Sequence, residues 1–352
     1  MPMKTVATLA LKPGMVLGED VLTYKNELLL PKNTKVDDIV IAKLNRNSIM
    51  CVEIMEEADF ATTHFEKVRV SEGFRHFSDK YSIYMPMYKK MIDDLIYTGK
   101  ALDQNTLFQI YAELSGCAKN GEHLLDYLYN MLPSEDDLTY AHCLNSALIA
   151  GVFGTWLGLP NRDIFNLIFC GFVYDIGKLL LPPQLIWKPG RLTDEEYEYV
   201  KTHVIRGYHI IKDQGFDDNI IKAALQHHER CDGTGYPNGL KDNEINQYAK
   251  YMSIIDAYEA MTTARTYRSS LIPFQVIENF EKSASHYNGI ILNPILARIA
   301  NSQLGMTVRL NNDAMAEVIL INQQKLSRPL IKCDDEVIDL SKRTDLDIVA
   351  ML

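Results

Sequence analysis

Six side chains between positions 142 and 256 are of types that together could hold a metal ion: His142, Asp175, His203, His227, His228 and Asp256. Imidazole combined with carboxylate suits Fe, Mn, Zn and similar ions, and ligands on successive helices can converge in a bundle core. One histidine on an apolar helix is more often a satisfied core residue. The adjacent pair His227-His228 is different, because both rings reach one ion only where the backbone turns at a helix end. Lys178, Arg265 and Arg268 add cations able to offset charge on phosphoryl oxygens. Arg265 and Arg268 lie three apart, on one face if their helix persists. A solvated surface role is the plain alternative for all three.

The elements that must carry these groups read as helices. Ser134 with Asp137 starts a helix that Gly158 ends, Asn161 caps the next through Val173, and Thr193 with Glu196 forms a capping box for one running to about Lys212. Another ends near His228, and a Gly-rich loop spans Asp232 to Gly239. Helices resume over 247–263, after Pro273 and after Asn293-Pro294, with Gly305 as the last stop. Before this block, 60–131 is helical. Phe74, Phe77, Tyr81, Tyr84 and Tyr88 recur there at spacings of three to four, which predicts a buried seam rather than a ligand platform. The ends are β-rich: Thr5–Leu11 alternates, Glu27–Leu30 precedes a break at Pro31, 37–47 is a short helix and 48–55 a strand. Strand signals return at 307–310, 317–321 and 336–340.

The strongest local signal is His227-His228-Glu229-Arg230-Cys231-Asp232-Gly233-Thr234-Gly235-Tyr236-Pro237, preceded at a distance by Tyr174-Asp175-Ile176-Gly177-Lys178. A helix end and an ordinary turn account for the glycines, but not for the double His followed by an acid. These motifs resemble the HD-GYP family of metal-dependent phosphodiesterases, a bacterial signalling branch of the HD-domain superfamily. The resemblance covers about residues 134–304. It implies a mainly α fold: an HD-type helical bundle, here with a small β-rich N-terminal domain and a β-rich C-terminal tail. The expected organisation is a β-rich domain at 1–57, a helical connecting region at 58–132, the catalytic-type domain at 133–305 and the tail at 306–352.

The resemblance also implies roles. His142, Asp175 and Asp256 match one metal site, and Asp175, His203, His227 and His228 a second, with Asp175 bridging. Asp175 and Lys178 are the catalytic pair, while Lys178, Tyr236, Arg265 and Arg268 match substrate contacts. The implied reaction is hydrolysis of cyclic di-GMP by metal-activated hydroxide, with a divalent or mixed-valence metal, Fe or Mn. Some relatives hold a third ion through a Glu where this chain has Leu138, so one or two ions are expected here.

The pattern breaks at one point. The family's paired His-Asp is Tyr174-Asp175 here. Three outcomes are open for Tyr174: it packs and leaves the first site weak, water replaces the lost imidazole, or the phenolate binds metal. Two further readings therefore accompany the leading one. The first is a degenerate protein serving as a nucleotide-binding sensor or interaction module. The second is a phosphohydrolase for another cyclic dinucleotide or a phosphomonoester.

Composition sets bounds on partners. The chain has 352 residues and a net charge of −10, which disfavours nonspecific binding of double-stranded nucleic acid. Its six cysteines form no C-x-x-C pair and read as reduced thiols. Neither a secretory leader nor a membrane span is expected, so the chain reads as cytoplasmic. The N-terminal unit has no ligand cluster, which suits a regulatory or dimerising role, with a second copy or a signalling protein as partner.

Overall fold

The computed structural model describes residues 3–11, 14–23, 27–47, 49–55, 62–186, 188, 190–263 and 270–352. The chain divides into two compact units, Met1–Ser71 and Glu72–Leu352. The boundary between the units falls inside the expected connecting region at 58–132.

In the first unit, β1 (Met3–Ala7) pairs antiparallel with β4 (Cys51–Met55), in a register that sets Thr5 opposite Glu53. A smaller ladder joins β2 (Val21–Leu22) to β3 (Leu28–Leu30). Helix α1 (Asp38–Arg46) starts where the Asp37 carboxylate accepts from the Val40 N–H. Leu17, Leu30, Val36, Leu44, Val52 and Ile54 close the small core between them. Helix α2 (His64–Arg69) follows, with a complete Thr63/Glu66 capping box.

The second unit is the helical bundle. Its first helices are α3 (Glu72–Thr98), α4 (Gln104–Ser115) and α5 (Gly121–Asn130). Phe74, Phe77, Tyr81 and Tyr88 are buried on α3, and Tyr88 donates to the Phe172 carbonyl at 2.6 Å, so the aromatic stripe is a packing seam. Helix α6 (Leu138–Trp156) is buried without a break from Thr139 to Gly154, which makes it the centre of the bundle. Helix α7 (Asn161–Val173) packs closely on α6 at Gly171, where any Cβ would fall 2.4 Å from the Ala147 backbone. Pro160, not Asn161, occupies the cap of α7.

The rest of the bundle is α8 (Pro183–Ile186), α9 (Asp194–Lys201), α10 (His203–Ile211), α11 (Asp218–Gln226), α12 (Gln247–Thr262), α13 (Pro273–Lys282) and α14 (Gly289–Asn301). The single helix expected from Thr193 to Lys212 is two. The capping box at Thr193 is formed, but the chain turns at Thr202, and the His203 ring takes the Val200 carbonyl (2.7 Å). Helix α14 begins at the Asn288 cap rather than at Pro294, which lies inside it. The C-terminal strands β5 (Thr307–Leu310), β6 (Met315–Leu320), β7 (Leu330–Cys333), β8 (Glu336–Asp339) and β9 (Ile348–Met351) form one antiparallel sheet in the order β8-β7-β6-β5-β9. Strands β7 and β9 carried too short an alternation to be read from sequence. The architecture is mainly α, an HD-type bundle with β-rich ends. Among the described residues no helix is long and apolar enough to cross a membrane.

Candidate metal centre

Five separate elements deliver the six ligand-type side chains to one place. His142 sits on buried α6. Tyr174 and Asp175 follow the end of α7, where a short 3-10 turn from Ile176 to Leu180 carries Lys178. His203 opens α10, His227 and His228 leave the end of α11, and Asp256 lies on α12. Gly177 makes the approach possible. A Cβ there would lie 2.0 Å from the His203 carbonyl oxygen and 2.6 Å from the Gly207 N–H nitrogen. Only glycine lets the turn bearing Asp175 lie against the start of α10.

Two clusters of potential ligand atoms result: His203, His227 and His228; and His142, Asp175 and Asp256. Their hydrogen bonding differs. In the first cluster, Nδ1 of His203 donates to the Val200 carbonyl (2.7 Å) and Nδ1 of His227 to that of Ala224 (3.0 Å). Each bond fixes the tautomer, so each Nε2 presents a lone pair. Those two Nε2 atoms are 3.5 Å apart, and Asp175 Oδ1 stands 3.2 Å from the first and 3.9 Å from the second. All three atoms are acceptors. Burial pushes His203 down to about 3, with help from the Lys178 charge, and His227 down to about 4. Burial and the neighbouring His227 hold His228 well below its usual range. No proton supplies the missing attraction.

Asp175 sharpens the point. It is fully buried, and neither carboxylate oxygen receives a directed hydrogen bond, although the Lys178 ammonium lies 2.5 Å from Oδ2. A buried carboxylate facing imidazole lone pairs is unfavourable unless a cation lies among them. The residues present therefore fit a metal ion.

The second cluster is internally satisfied. Burial would lower the His142 pKa, but the charge of Glu259 and the hydrogen bonds with Asp256 and Glu259 raise it to about 9. Protonated, His142 donates from Nδ1 to Glu259 Oε2 (2.5 Å) and from Nε2 toward Asp256 Oδ1 (3.0 Å) and the Tyr174 oxygen (2.5 Å). The Tyr174 hydroxyl donates to Asp256 Oδ1 (3.2 Å) and shares a hydrogen bond with Ser146 (3.1 Å). Burial, reinforced by the charges of Asp256 and Asp175, keeps this phenol well above its usual range. Burial alone would raise Glu259, yet His142 and hydrogen bonds from Thr263 (2.7 Å) and Asn145 (2.9 Å) hold it low.

Glu259, Asn145 and Ser146 were not identified from sequence. A usable signal existed for two of them: Glu259 lies three residues after Asp256, and Asn145 three after His142, each one turn along the same helix.

The loop after His228 is held by its own acid. The buried Glu229 carboxylate accepts from the Asn238 N–H (2.8 Å) and the Leu240 N–H (2.9 Å), so the acid behind the His pair clamps the loop. Gly235 has no room for a side chain, since a Cβ would be 2.3 Å from the Arg230 nitrogen. The clamp stacks Tyr236 on His228, with ring centroids 4.8 Å apart at 28°. A cavity of about 170 Å³ opens onto His142, Asp175 and Lys178, walled by Leu185, Ile186 and Val200. A larger one, about 410 Å³ between α13 and the C-terminal sheet, contains no ligand-type cluster. Arg265 and Arg268 lie outside the described residues.

Residues 126–291 match the family model described as an HD domain. A cyclic di-GMP phosphodiesterase of Pseudomonas aeruginosa is 27% identical over 235 residues, 66% of this chain and 56% of the relative. A cyclic di-GMP phosphodiesterase of Borreliella burgdorferi is 26% identical over 212 residues, 59% of this chain and again 56% of the relative. The chain thus spans little more than half the length of these curated relatives. A solved structure of an HDG"Y"P protein from Bdellovibrio bacteriovorus shares the fold, with a TM-score of 0.51 at 13% identity over 85% of this chain and 99% of that one.

Proposed function

We propose that the HD domain of this chain is a metal-dependent phosphodiesterase acting on a cyclic dinucleotide, cyclic di-GMP foremost. We further propose that it uses a single ion, Fe or Mn, held by Asp175, His203, His227 and His228. The observation that carries the proposal is the meeting of two imidazole lone pairs and an unbonded buried carboxylate oxygen within 3.2–3.9 Å. The activities of the similar proteins support the substrate class. A bound divalent ion supplies Lewis acidity and lowers the pKa of water toward neutrality.

The chain's own residues supply the rest. The backbone carbonyls of Val200 and Ala224 keep His203 and His227 in the ligating tautomer. Lys178, beside Asp175 and at the cavity, offsets charge developing on a phosphoryl oxygen. Tyr236 borders the substrate, and Arg265 and Arg268 are proposed as further phosphate contacts. Glu259 orients His142. The proton on His142 and the Tyr174 hydroxyl together satisfy the cluster of His142, Asp175 and Asp256, taking the part of a second cation. Of the three outcomes open for Tyr174, packing is the one this network supports.

That same network favours a second reading, a sensor that binds the nucleotide without rapid turnover. One experiment separates the two: metal content and cyclic di-GMP hydrolysis for the native chain, His203→Ala and Tyr174→His. The expected pattern is one ion and measurable turnover in the native chain, neither in His203→Ala, and a second ion with faster turnover in Tyr174→His. Absence of product over hours with Fe or Mn would refute the enzyme, and calorimetric binding under those conditions would establish the sensor.

A further inference from the structure

The metal centre is bordered by an aromatic corner of which the motifs include only one ring, Tyr236. Beyond Tyr236, which stacks on His228, stands Tyr197 of α9, with ring centroids 6.4 Å apart and planes at 82°. The Lys201 ammonium lies 4.9 Å from the Tyr197 ring centroid and 5.5 Å from that of Tyr236, above the corner where the two rings meet. Tyr197 and Lys201 are four residues apart on the last turn of α9, so one helix face presents both. The turn at Thr202 then delivers His203 into the ligand cluster. A single short stretch therefore carries an aromatic face, a cation and a metal ligand.

This corner is built and accessible. Tyr197 is 47% exposed, and the Lys201 side chain retains 27%. Lys201 is paired with Glu198 at 2.6 Å, but Glu198 is mostly exposed, so the pair is weak and readily exchanged for another anion. Tyr236 is fixed from behind by the Glu229 clamp. An aromatic heterocycle attached to a phosphate matches the set: the ring stacks in the corner and the phosphate meets the ammonium.

Resting on the function proposed above, we infer that Tyr197 and Lys201 form the outer nucleotide subsite. Tyr197 receives the base of the nucleotide farther from the ion, and Lys201 binds the phosphate that is not being cleaved. Both are binding residues, and neither touches the reacting bond.

The test uses the full-length, metal-loaded chain and cyclic di-GMP as the probe. Tyr197→Ala should raise KM and the calorimetric Kd about tenfold, the loss of one base–aromatic stack. Metal content, melting temperature and kcat should stay at native values, which a purely structural role would not produce. Tyr197→Phe should restore native KM, because the stacking face remains. Lys201→Gln should raise KM several-fold and reduce the dependence of KM on salt. Native KM and Kd in Tyr197→Ala, with turnover intact, would overturn the subsite while leaving the phosphodiesterase standing. If the native chain neither binds nor hydrolyses the probe, both fall together.

Discussion

Removal of one oxygen atom tests the reading of the cluster formed by His142, Asp175 and Asp256. In Tyr174→Phe the ring, and with it the packing, is kept. What disappears is a hydroxyl that donates to Asp256 Oδ1 at 3.2 Å, shares a bond with Ser146 at 3.1 Å and stands 2.5 Å from His142 Nε2. All the partners are buried, so no water replaces it freely. A buried hydrogen bond to a charged group is worth about 1.5–3 kcal/mol, and leaving its acceptor unpaired costs a similar amount. The chelator-treated variant should therefore be about 1–3 kcal/mol less stable. For a unit of this size that lowers Tm by about 2–5 °C in scanning calorimetry. Metal content should remain at the native value, because the ligands of the three-histidine cluster are untouched. A change below about 0.5 kcal/mol would mean that the phenol is only a filler, and a loss of metal would mean that it is a ligand. Either result refutes the account of Tyr174.

Two further perturbations follow from the same geometry. Gly177→Ala places a Cβ 2.0 Å from the His203 carbonyl, and neither the turn nor α10 can yield without moving a ligand. The expected result is about 1–3 kcal/mol of destabilisation with reduced metal content, read by calorimetry and elemental analysis. Native values for both would show that the close approach does not matter. The third prediction concerns the pH dependence of the chelated chain. His203 and His227 have folded values of about 3 and about 4, below the ordinary 6.5. Above pH 6.5 neither state is protonated. As pH falls the unfolded chain takes up protons that the fold refuses, and stability is lost with a slope approaching about 2.7 kcal/mol per pH unit. His142 acts with the opposite sign: raised to about 9, its contribution is complete below 6.5 and is lost as pH rises through 9. Stability should peak near pH 6.5 in denaturant titrations, and a flat profile from 6.5 to 4.5 would contradict the buried neutral histidines.

The sequence made residue identity legible and left geometry hidden. The Thr193 capping box, the stop at Gly158 and the α3 seam follow from short-range rules, and the structure shows each of them. By contrast, α6 starts at Leu138 without the Ser134 box, and α14 ends at Asn301, ahead of Gly305. The division of the Thr193–Lys212 stretch did not follow, because a histidine side chain claims a helix carbonyl there and periodicity carries no trace of that. The role of Glu229 was similarly hidden: two backbone N–H groups nine and eleven residues downstream define it.

On its own, the order of residues determined which side chains could ligate, that a tyrosine stands beside Asp175 where an imidazole would serve, and that helices would carry them. Only the tertiary structure decided that His203, His227 and Asp175 bring acceptor atoms face to face while His142, Tyr174, Asp256 and Glu259 satisfy one another. The physical reason is that protonation and hydrogen bonding depend on burial and on neighbours distant in sequence. Val200 and Ala224 act locally, three residues before His203 and His227, but Glu259 reaches His142 across 117 positions, a contact that exists only once α6 and α12 have packed.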